Sequence, residues 1–139
     1  MLAAARTETS RSTYMTEGPP GCDKRVLVID DDVEFCTSIR ELLVDRGYVV
    51  ETCTSATSAL TWLETREDKS SAPCAIVVDL KMPDMDGYSF LATCEVEPRL
   101  REIPIIVVSA YGDPTGIEAD FISKPVNVTR LLRSLESAC

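Results

Sequence analysis

Two short apolar segments, each followed at once by aspartate, constrain the fold of this chain more than any other feature. Residues 75–78 are Ala-Ile-Val-Val before Asp79, and residues 26–29 are Val-Leu-Val-Ile before Asp30. Apolar runs of this length, rich in β-branched residues, are typical of strands buried on both faces of a parallel sheet. The carboxyl ends of such strands line the crevice in which open α/β sheets bind ligands. Both aspartates are therefore expected at one functional edge.

The other segments alternate between strand and helix patterns. Helical spacing of apolar residues follows the acidic run and ends before Gly47, and Asn127 is placed to cap a last helix. This alternation predicts an α/β fold, a doubly wound five-stranded parallel sheet with right-handed crossovers. The predicted strands are 25–29, 48–52, 75–78, 103–110 and 119–123, and the predicted helices include 55–66 and 88–96.

Charge is distributed unevenly along the chain. The 139 residues include 23 acidic and 14 basic side chains, for a net charge of −9, whereas residues 1–24 carry three of each sign. The acidic excess belongs to the folded part, which argues against direct binding of nucleic acid or of an anionic membrane. Residues 1–23 are expected to form a disordered tail ahead of one domain at 24–139. No apolar run is long enough to span a membrane, so we expect a cytoplasmic protein.

Six cysteines are spread along the chain without a Cys-x-x-Cys motif. Cys36, Cys53 and Cys94 fall in apolar periodic segments, so we expect reduced packing thiols in a protein from a reducing compartment. The sequence contains no histidine, which excludes histidine as a metal ligand or general base within this chain.

The predicted strands end in different chemical groups. An acid cluster at 30–32 follows the first strand, and later strands deliver Asp79, Ser109 and Lys124 to the same edge. Clustered carboxylates without a basic neighbour favour a hard divalent cation, and Mg²⁺ suits a few protein oxygens together with water and a phosphoryl group. Lysine supplies positive charge to phosphoryl oxygens, and serine supplies a hydroxyl. The combination predicts phosphoryl transfer to a carboxylate.

These motifs resemble those of the receiver domains of bacterial response regulators, the family of the chemotaxis response regulator. The segments Val-Leu-Val-Ile-Asp-Asp-Asp, Asp-Leu-Lys-Met-Pro-Asp-Met-Asp-Gly, Val-Val-Ser-Ala and Ser-Lys-Pro occur in the family's order, within residues 24–139. The resemblance implies a flavodoxin-like fold in a two-component system, phosphorylated by a histidine kinase or a histidine phosphotransfer protein. It also implies a downstream protein target, a monomer or weak homodimer, and catalysis limited to the domain's own phosphorylation and dephosphorylation.

The resemblance assigns roles to the acidic residues. It implies that Asp79 is the phospho-acceptor. It further implies that Asp31, Asp79 and the backbone carbonyl of Lys81 bind Mg²⁺. Asp30 is implied to act on the metal largely through water.

The resemblance also assigns the groups that hold the phosphoryl group. These are the hydroxyl of Ser109, the backbone N–H of Ala110 and the charge of Lys124. Phe121 occupies the position of the family's switch aromatic. On phosphorylation, Ser109 is expected to move toward the phosphoryl group and Phe121 to turn into the space it leaves.

One segment departs from the family's pattern. Only 14 residues, 110–123, separate Ser109 from Lys124, about two helical turns, or roughly seven residues, fewer than is usual. Residues 111–117 contain two glycines and a proline and no amphipathic period, so the fourth helix is expected to be absent or reduced to a turn. In the family this helix forms much of the surface that reports phosphorylation, so a different output surface is expected here.

Two alternative functions stay open. Residues 26–32 also match the strand-then-Asp-x-Asp signature of haloacid-dehalogenase-type phosphatases, in which Asp30 would be the nucleophile. Against that hydrolase, no acidic pair follows Lys124 and Asp79 would have no role. The second alternative is a receiver fold used only for docking or dimerisation, without a response to phosphate.

Overall fold

The computed structural model describes residues 24–66, 71–83, 85–110 and 119–139 of the chain. Within these ranges, the first seven elements alternate between strand and helix, as the apolar patterns predict. The elements in chain order are β1 (Arg25–Ile29), α1 (Val33–Asp45), β2 (Val49–Cys53), α2 (Ala56–Glu64), β3 (Ala75–Val78), α3 (Gly87–Val96), β4 (Ile105–Ser109), β5 (Asp120–Ser123) and α4 (Val128–Ala138).

The five strands form one parallel sheet in the order β2-β1-β3-β4-β5. Val26 pairs with Ala75 and Ile29 pairs with Val78, so β1 and β3 end level with each other. Val78 pairs in turn with Val107 of β4. The residues that follow these strands therefore meet at one carboxyl edge. The predicted doubly wound α/β fold, with a flavodoxin-like strand order, is confirmed.

Helices cover both faces of the sheet, and the residues of β1 alternate between two cores. Val26 and Val28 pack in the core formed with α1 and α4, whereas Leu27 and Ile29 pack in the core formed with α2 and α3. Every residue of β3 is at most 2% exposed. Full burial of each aliphatic side chain contributes roughly 1.5–3 kcal/mol. Burial on both faces thus explains the wholly apolar strands and holds their ends in place.

Each helix begins at a side chain that accepts a backbone N–H. Such a cap stabilises a helix by about 1 kcal/mol and fixes the residue at which it starts. The capping residues of α1, α2, α3 and α4 are Asp32, Ser55, Asp86 and Asn127. The predicted cap at Asn127 is confirmed. Asp32 and Asp86 follow β1 and β3, so these two caps hold the loops at the carboxyl edge of the sheet.

The prediction of reduced cysteines is wrong for one pair. Cys74, directly before β3, and Cys139, directly after α4, form a disulfide with Cα atoms 5.4 Å apart. The two cysteines are 65 residues apart in sequence, so their spacing did not indicate that the fold brings them together. Cys36, Cys53 and Cys94 are free, as predicted. The disulfide anchors the end of α4 at the amino-terminal edge of the sheet.

Two predictions fall outside the described residues. They are the disordered tail at 1–23 and the reduced helix at 111–117. The described ranges contain four helices, and none of these is long and apolar enough to cross a membrane. The division into a tail and a domain at 24–139 stays a prediction.

Candidate functional site

Three aspartates converge at the carboxyl edge of the sheet. Asp30 and Asp31 follow β1 and Asp79 follows β3, and one carboxylate oxygen from each lies within 4.8 Å of the others. The N–H of Asp79 donates to the carbonyl of Ile29 (3.0 Å), which holds the two strand ends together. Asp30 and Asp79 are buried, and Asp31 is exposed. A divalent cation that prefers oxygen ligands fits this set, because it offsets the repulsion between neighbouring carboxylates.

Lys124, which follows β5, lies beside two of these acids. Its Nζ is 2.7 Å from Asp30 Oδ2 and 3.9 Å from Asp79 Oδ2. The backbone N–H of Lys124 donates to the carbonyl of Ser109 (3.0 Å), which aligns the ends of β5 and β4. The Lys124 side chain is only 20% exposed. Because water screens it poorly, its charge acts strongly on both carboxylates.

Asp30 and Asp79 differ in how their oxygens are engaged. Asp30 Oδ1 accepts a hydrogen bond from the N–H of Asp32 at 2.9 Å, and Asp30 Oδ2 accepts one from Lys124 at 2.7 Å. Asp79 has longer contacts: its Oδ1 is 3.4 Å from the backbone nitrogen of Lys81, and its Oδ2 is 3.9 Å from Lys124 Nζ. The carboxylate of Asp79 is therefore held more loosely than that of Asp30.

Burial raises the pKa of Asp30 above its ordinary value near 3.8. The hydrogen bonds from Lys124 and from the N–H of Asp32 lower this pKa, but the loss of solvation is larger. The charge of Asp79 adds to the increase. Burial thus makes the Asp30 carboxylate harder to ionise than an exposed one, and a bound cation would make ionisation easier.

The loop after Asp79 leads into α3 through a close backbone contact at Gly87. The N–H of Gly87 donates to the carbonyl of Leu80 at 2.7 Å. A Cβ at Gly87 would lie 2.6 Å from the carbonyl oxygen of Asp79 and from the Cα of Leu80, so the contact requires glycine. This packing was not predicted from the sequence. A glycine at the first position of a helix, directly after the loop, is the signal that could have indicated it.

The same edge also holds Ser109, Ala110 and Lys81, whereas Phe121 lies within β5, two residues before its end. Ser109 is buried at the end of β4, and Ala110, next to it, is exposed. Lys81 is exposed on the loop after β3. Phe121 in β5 is half-buried and packs against the core formed with α2 and α3. The predicted roles of these residues toward a phosphoryl group, a metal ion or a switch stay predictions.

Two residues of α1, Phe35 and Cys36, contact the site, and the sequence did not predict these contacts. The Nζ of Lys124 lies 4.1 Å from the centre of the Phe35 ring. The thiol of Cys36 donates to the backbone carbonyl of Asp30 at 3.2 Å. Burial, together with the charge of Asp30, raises the pKa of the Cys36 thiol to about 11, so the thiol stays neutral. Both residues lie in the first turn after the acids, and that position could have indicated contact with the site.

A family model matches most of the chain. Residues 26–136 match the family described as the response regulator receiver domain. The chain belongs to this family. It is therefore a receiver domain of the two-component response regulators, and the resemblance expected from its motifs is confirmed. The matched range includes every residue that was predicted to form the site of the receiver.

Curated relatives of this receiver domain include short and long proteins. The uncharacterized 14.6 kDa protein in the sodA1 3' region of Leptolyngbya boryana is 31% identical over 121 residues, which covers 82% of this chain and 88% of that protein. The two-component response regulator ARR10 of Arabidopsis thaliana is 36% identical over 115 residues, or 77% of this chain and 20% of that protein. The chain thus spans about a fifth of the length of the plant response regulators that it matches.

Solved structures share the receiver fold. The signal receiver domain of a signal transduction histidine kinase from Syntrophus aciditrophicus aligns with a TM-score of 0.73 and 26% identity, over 83% of this chain and 89% of that chain. A response regulator protein from Thermotoga maritima, in complex with Mg(2+)-BeF, aligns with a TM-score of 0.71 and 21% identity, over 84% of this chain and 99% of that chain. At 21% identity, the similarity to the Thermotoga maritima structure shows the fold alone.

Proposed function

We propose that this receiver domain accepts a phosphoryl group on Asp79 in the presence of Mg²⁺ and thereby switches a surface that binds a downstream protein. The observation that carries the proposal is the convergence of carboxylates and one ammonium group at a single edge of the sheet. Oxygens of Asp30, Asp31 and Asp79 lie within 4.8 Å of one another, and Lys124 Nζ is 3.9 Å from Asp79 Oδ2. A phosphoryl group on Asp79 would lie between an acidic cation site and a lysine.

Asp79, rather than Asp30, is the acceptor in this proposal because its carboxylate is less tightly held. Asp30 is 2% exposed, and both of its oxygens accept hydrogen bonds. Attack on phosphorus by Asp30 would break a buried ion pair with Lys124, which is costly. Asp79 is 8% exposed, with its nearest polar contacts at 3.4 and 3.9 Å. This contrast supports the receiver reaction over the haloacid-dehalogenase-type hydrolase.

The chain offers a suitable set of ligands for Mg²⁺. We assign the carboxylates of Asp31 and Asp79 and the carbonyl of Lys81 as direct ligands, with Asp30 acting largely through water. A few protein oxygens suit Mg²⁺, which usually keeps several waters. When bound, Mg²⁺ supplies positive charge that keeps the carboxylates ionised and stabilises the transferring phosphoryl group. The burial of Asp30 and Asp79 supports the assignment, because Lys124 balances only one of their two charges.

The proposed reaction is a displacement at phosphorus. A carboxylate oxygen of Asp79 forms a bond to phosphorus while the bond from phosphorus to the donor's imidazole nitrogen breaks. The nitrogen leaves with the bonding electron pair, and a proton on the other ring nitrogen makes the departing imidazole neutral. Lys124 neutralises developing charge, and the Ser109 hydroxyl and the Ala110 N–H donate to phosphoryl oxygens. The donor is a histidine kinase or a histidine phosphotransfer protein, and water later hydrolyses the acyl phosphate.

The proposed switch joins Ser109 to Phe121. Ser109 pairs with Ser123, two residues from Phe121, so the side chains of Ser109 and Phe121 lie on one face of neighbouring strands. When Ser109 moves toward the phosphoryl oxygens, it leaves space on that face. Phe121, which is half-buried, turns into this space and changes the surface that a downstream protein binds.

Intact-mass measurement after incubation with Mg²⁺ and acetyl phosphate tests the proposal. The wild-type chain is expected to gain the mass of one phosphoryl group, and Asp79→Asn is expected to gain none. Asp32→Asn is the matched control. It removes a neighbouring acid, but asparagine still caps α1, so this variant is expected to be labelled like the wild type.

Other outcomes support the alternative functions. Labelling that persists in Asp79→Asn and disappears in Asp30→Asn would support the hydrolase. A folded chain that takes up no phosphoryl group from acetyl phosphate or from a phosphohistidine donor would support the docking or dimerisation module.

A further inference from the structure

We infer that Phe35 is a positioning residue for Lys124, an inference that rests on the proposed function of the site. The ring of Phe35, in the first turn of α1, faces the ammonium group, with Lys124 Nζ 4.1 Å from the ring centre. At this distance the negative face of an aromatic ring attracts a cation. Phe35 is half-buried and Lys124 is largely shielded from solvent, so water screens the contact only weakly.

Four contacts join Phe35 to the acids in a closed circuit. Asp30 Oδ1 accepts from the N–H of Asp32 (2.9 Å), and Asp32 Oδ1 accepts from the N–H of Phe35 (3.2 Å). The Phe35 ring contacts the ammonium of Lys124, and that ammonium donates back to Asp30 Oδ2 at 2.7 Å. The circuit gives a role to the third acid of the run. Asp32 caps α1 and thereby places the ring beside the lysine.

An aromatic face suits this position better than another carboxylate would. A carboxylate beside Lys124 would take one of its three N–H donors and would repel an incoming phosphoryl group. The ring attracts the ammonium without adding negative charge. Lys124 therefore keeps donors for a phosphoryl oxygen bound to Asp79, whose own Oδ2 is 3.9 Å from the ammonium.

The ring also limits where the lysine can go. A lysine side chain has four flexible carbon–carbon bonds and loses rotamer freedom when its ammonium is held at one place. Without the Phe35 face, the ammonium of Lys124 is expected to spend more time in water and less time near Asp79. Loss of the ring should thus slow phosphoryl transfer while leaving the metal ligands unchanged.

Substitutions at position 35 test the inference through the rate of labelling by acetyl phosphate at saturating Mg²⁺. Phe35→Leu stays apolar but lacks the ring face, and it is expected to lower the rate constant by roughly three- to tenfold. Phe35→Tyr keeps the face and is expected to stay within about twofold of the wild type. The Kd for Mg²⁺, measured by titration calorimetry, is expected to change by less than about twofold in both variants.

Ring fluorination separates the charge distribution of the ring from its packing. Phenylalanine analogues with one, two and three ring fluorines, inserted at position 35 by nonsense suppression, keep nearly the same shape while they weaken the negative face. The logarithm of the labelling rate constant is expected to fall steadily with the number of fluorines. The same analogues at Phe90, which is buried on the other face of the sheet, are the matched control and are expected to leave the rate unchanged.

The outcomes distinguish a failure of the inference about Phe35 from a failure of the proposed function. A labelling rate that does not change with the number of fluorines would show that Phe35 only packs against the core, and so would equal rate losses in Phe35→Leu and Phe35→Tyr. Either result would overturn the inference. Labelling at Asp79 would still leave the proposed function intact. Two results would overturn the proposed function and this inference together. One is a folded wild-type chain that accepts no phosphoryl group, and the other is an Asp79→Asn variant that is still labelled.

Discussion

Lys124 is outnumbered by the acids that surround it. Its ammonium contacts the buried carboxylates of Asp30 and Asp79, while Asp31 adds a third charge at the exposed side. These three carboxylates and one ammonium group together carry a net negative charge. Such a site is unfavourable for stability without a cation, and the same property gives it affinity for one.

Asp30→Asn is expected to reduce the pH dependence of the free energy of unfolding in buffer without divalent cations. The pKa of Asp30 in the folded chain lies above its ordinary value of 3.8, so the folded state holds this proton more tightly than the unfolded state. The stability of the wild type therefore falls as the pH rises from about 3.8 through that raised pKa. Asparagine removes this dependence. Urea denaturation of both proteins across this pH range measures the effect, and the change of stability with pH should be smaller in the variant than in the wild type.

The same substitution is expected to weaken Mg²⁺ binding by roughly tenfold, as for other groups that act on a metal through its outer ligands. Titration calorimetry measures this change, and Asp32→Asn should leave the affinity close to that of the wild type. An Asp30→Asn variant that keeps the pH dependence of the wild type and binds Mg²⁺ equally well would contradict this account.

Gly87→Ala is expected to lower the free energy of unfolding by about 1–3 kcal/mol and to slow labelling, because a Cβ would press on the backbone of Asp79 and Leu80. Gly47→Ala is the control. Gly47 has a φ of +93° with open space around it, so alanine there costs about 1–2 kcal/mol of backbone strain far from the site. Urea denaturation measures the loss of stability in each variant, and the rate of labelling by acetyl phosphate shows whether the site is affected. Slower labelling in Gly47→Ala, or unchanged labelling in Gly87→Ala, would contradict the assigned contact.

At the scale of the elements, α4 is attached to the sheet by polar as well as apolar groups. Asp120, at the start of β5, accepts hydrogen bonds from Arg130 and from the hydroxyl of Ser134, both in α4. Leu131 and Leu135 are fully buried in the core that α4 shares with α1. These contacts hold α4, which follows Lys124, against β5, which precedes Lys124.

Asp120→Asn is expected to lower the free energy of unfolding at pH 7 by only about 0.5 kcal/mol, because the Asp120 side chain is 38% exposed. The hydrogen bond from Ser134, together with the contact from Arg130, lowers the pKa of Asp120 below its ordinary value of 3.8. The contribution to stability is therefore present above about pH 4 and is lost as the pH falls through the lowered pKa. Urea denaturation of the wild type and the variant at pH 7 measures the loss of stability, and the same measurement below pH 3.8 shows whether the difference disappears in acid.

Asp45→Asn is the matched control for this pair of elements. Asp45 is exposed in the last turn of α1, where the helix dipole does not favour a negative charge. Its removal is expected to cost no stability at pH 7. Equal losses in the two variants would mean that the Asp120 contacts contribute nothing specific to the docking of α4.

The elements were predictable where a local pattern determines them. β1 and β3 could be located because each ends in four apolar residues that acids follow directly, and α4 could be located because Asn127 is a strong cap. The prediction of where β4 starts was less accurate. Ile103 was placed in the strand, but its N–H donates to the carbonyl of Leu100 in the turn after α3. An apolar pattern does not distinguish a buried turn residue from a strand residue.

At the scale of the whole molecule, the contacts that sequence could not predict join distant parts of the chain. Asp30, Asp79 and Lys124 were expected together because parallel strands share one carboxyl edge. The contact of Phe35 with Lys124, and the bond of Cys74 to Cys139, depend instead on how helices pack on the sheet. Neither follows from a motif or from a period in the sequence.

The disulfide is expected to contribute about 2–4 kcal/mol to the free energy of unfolding, because it closes a long loop and so restricts the unfolded chain. The two cysteines are separated by 65 residues. Urea denaturation with and without reductant measures the contribution. The labelling rate is expected to stay unchanged, because Cys74 lies at the amino-terminal edge, where its N–H donates to the carbonyl of Arg25 (2.7 Å).

Two serine variants complete this test. Cys139→Ser is expected to be as stable as the reduced wild type and to show no response to reductant. Cys53→Ser removes a free thiol and is expected to keep the full response. A reductant effect that persists in Cys139→Ser would contradict the assigned bond.

The bond between Cys74 and Cys139 also encloses Asp79, Ser109 and Lys124 in one covalent ring. A protease that cuts the backbone once inside this ring produces two pieces that stay attached to each other. On a gel run without reductant, the nicked molecule would migrate as a single band even when Asp79 and Lys124 lie on separate pieces. Only thiol treatment before electrophoresis would distinguish a severed receiver from a whole one.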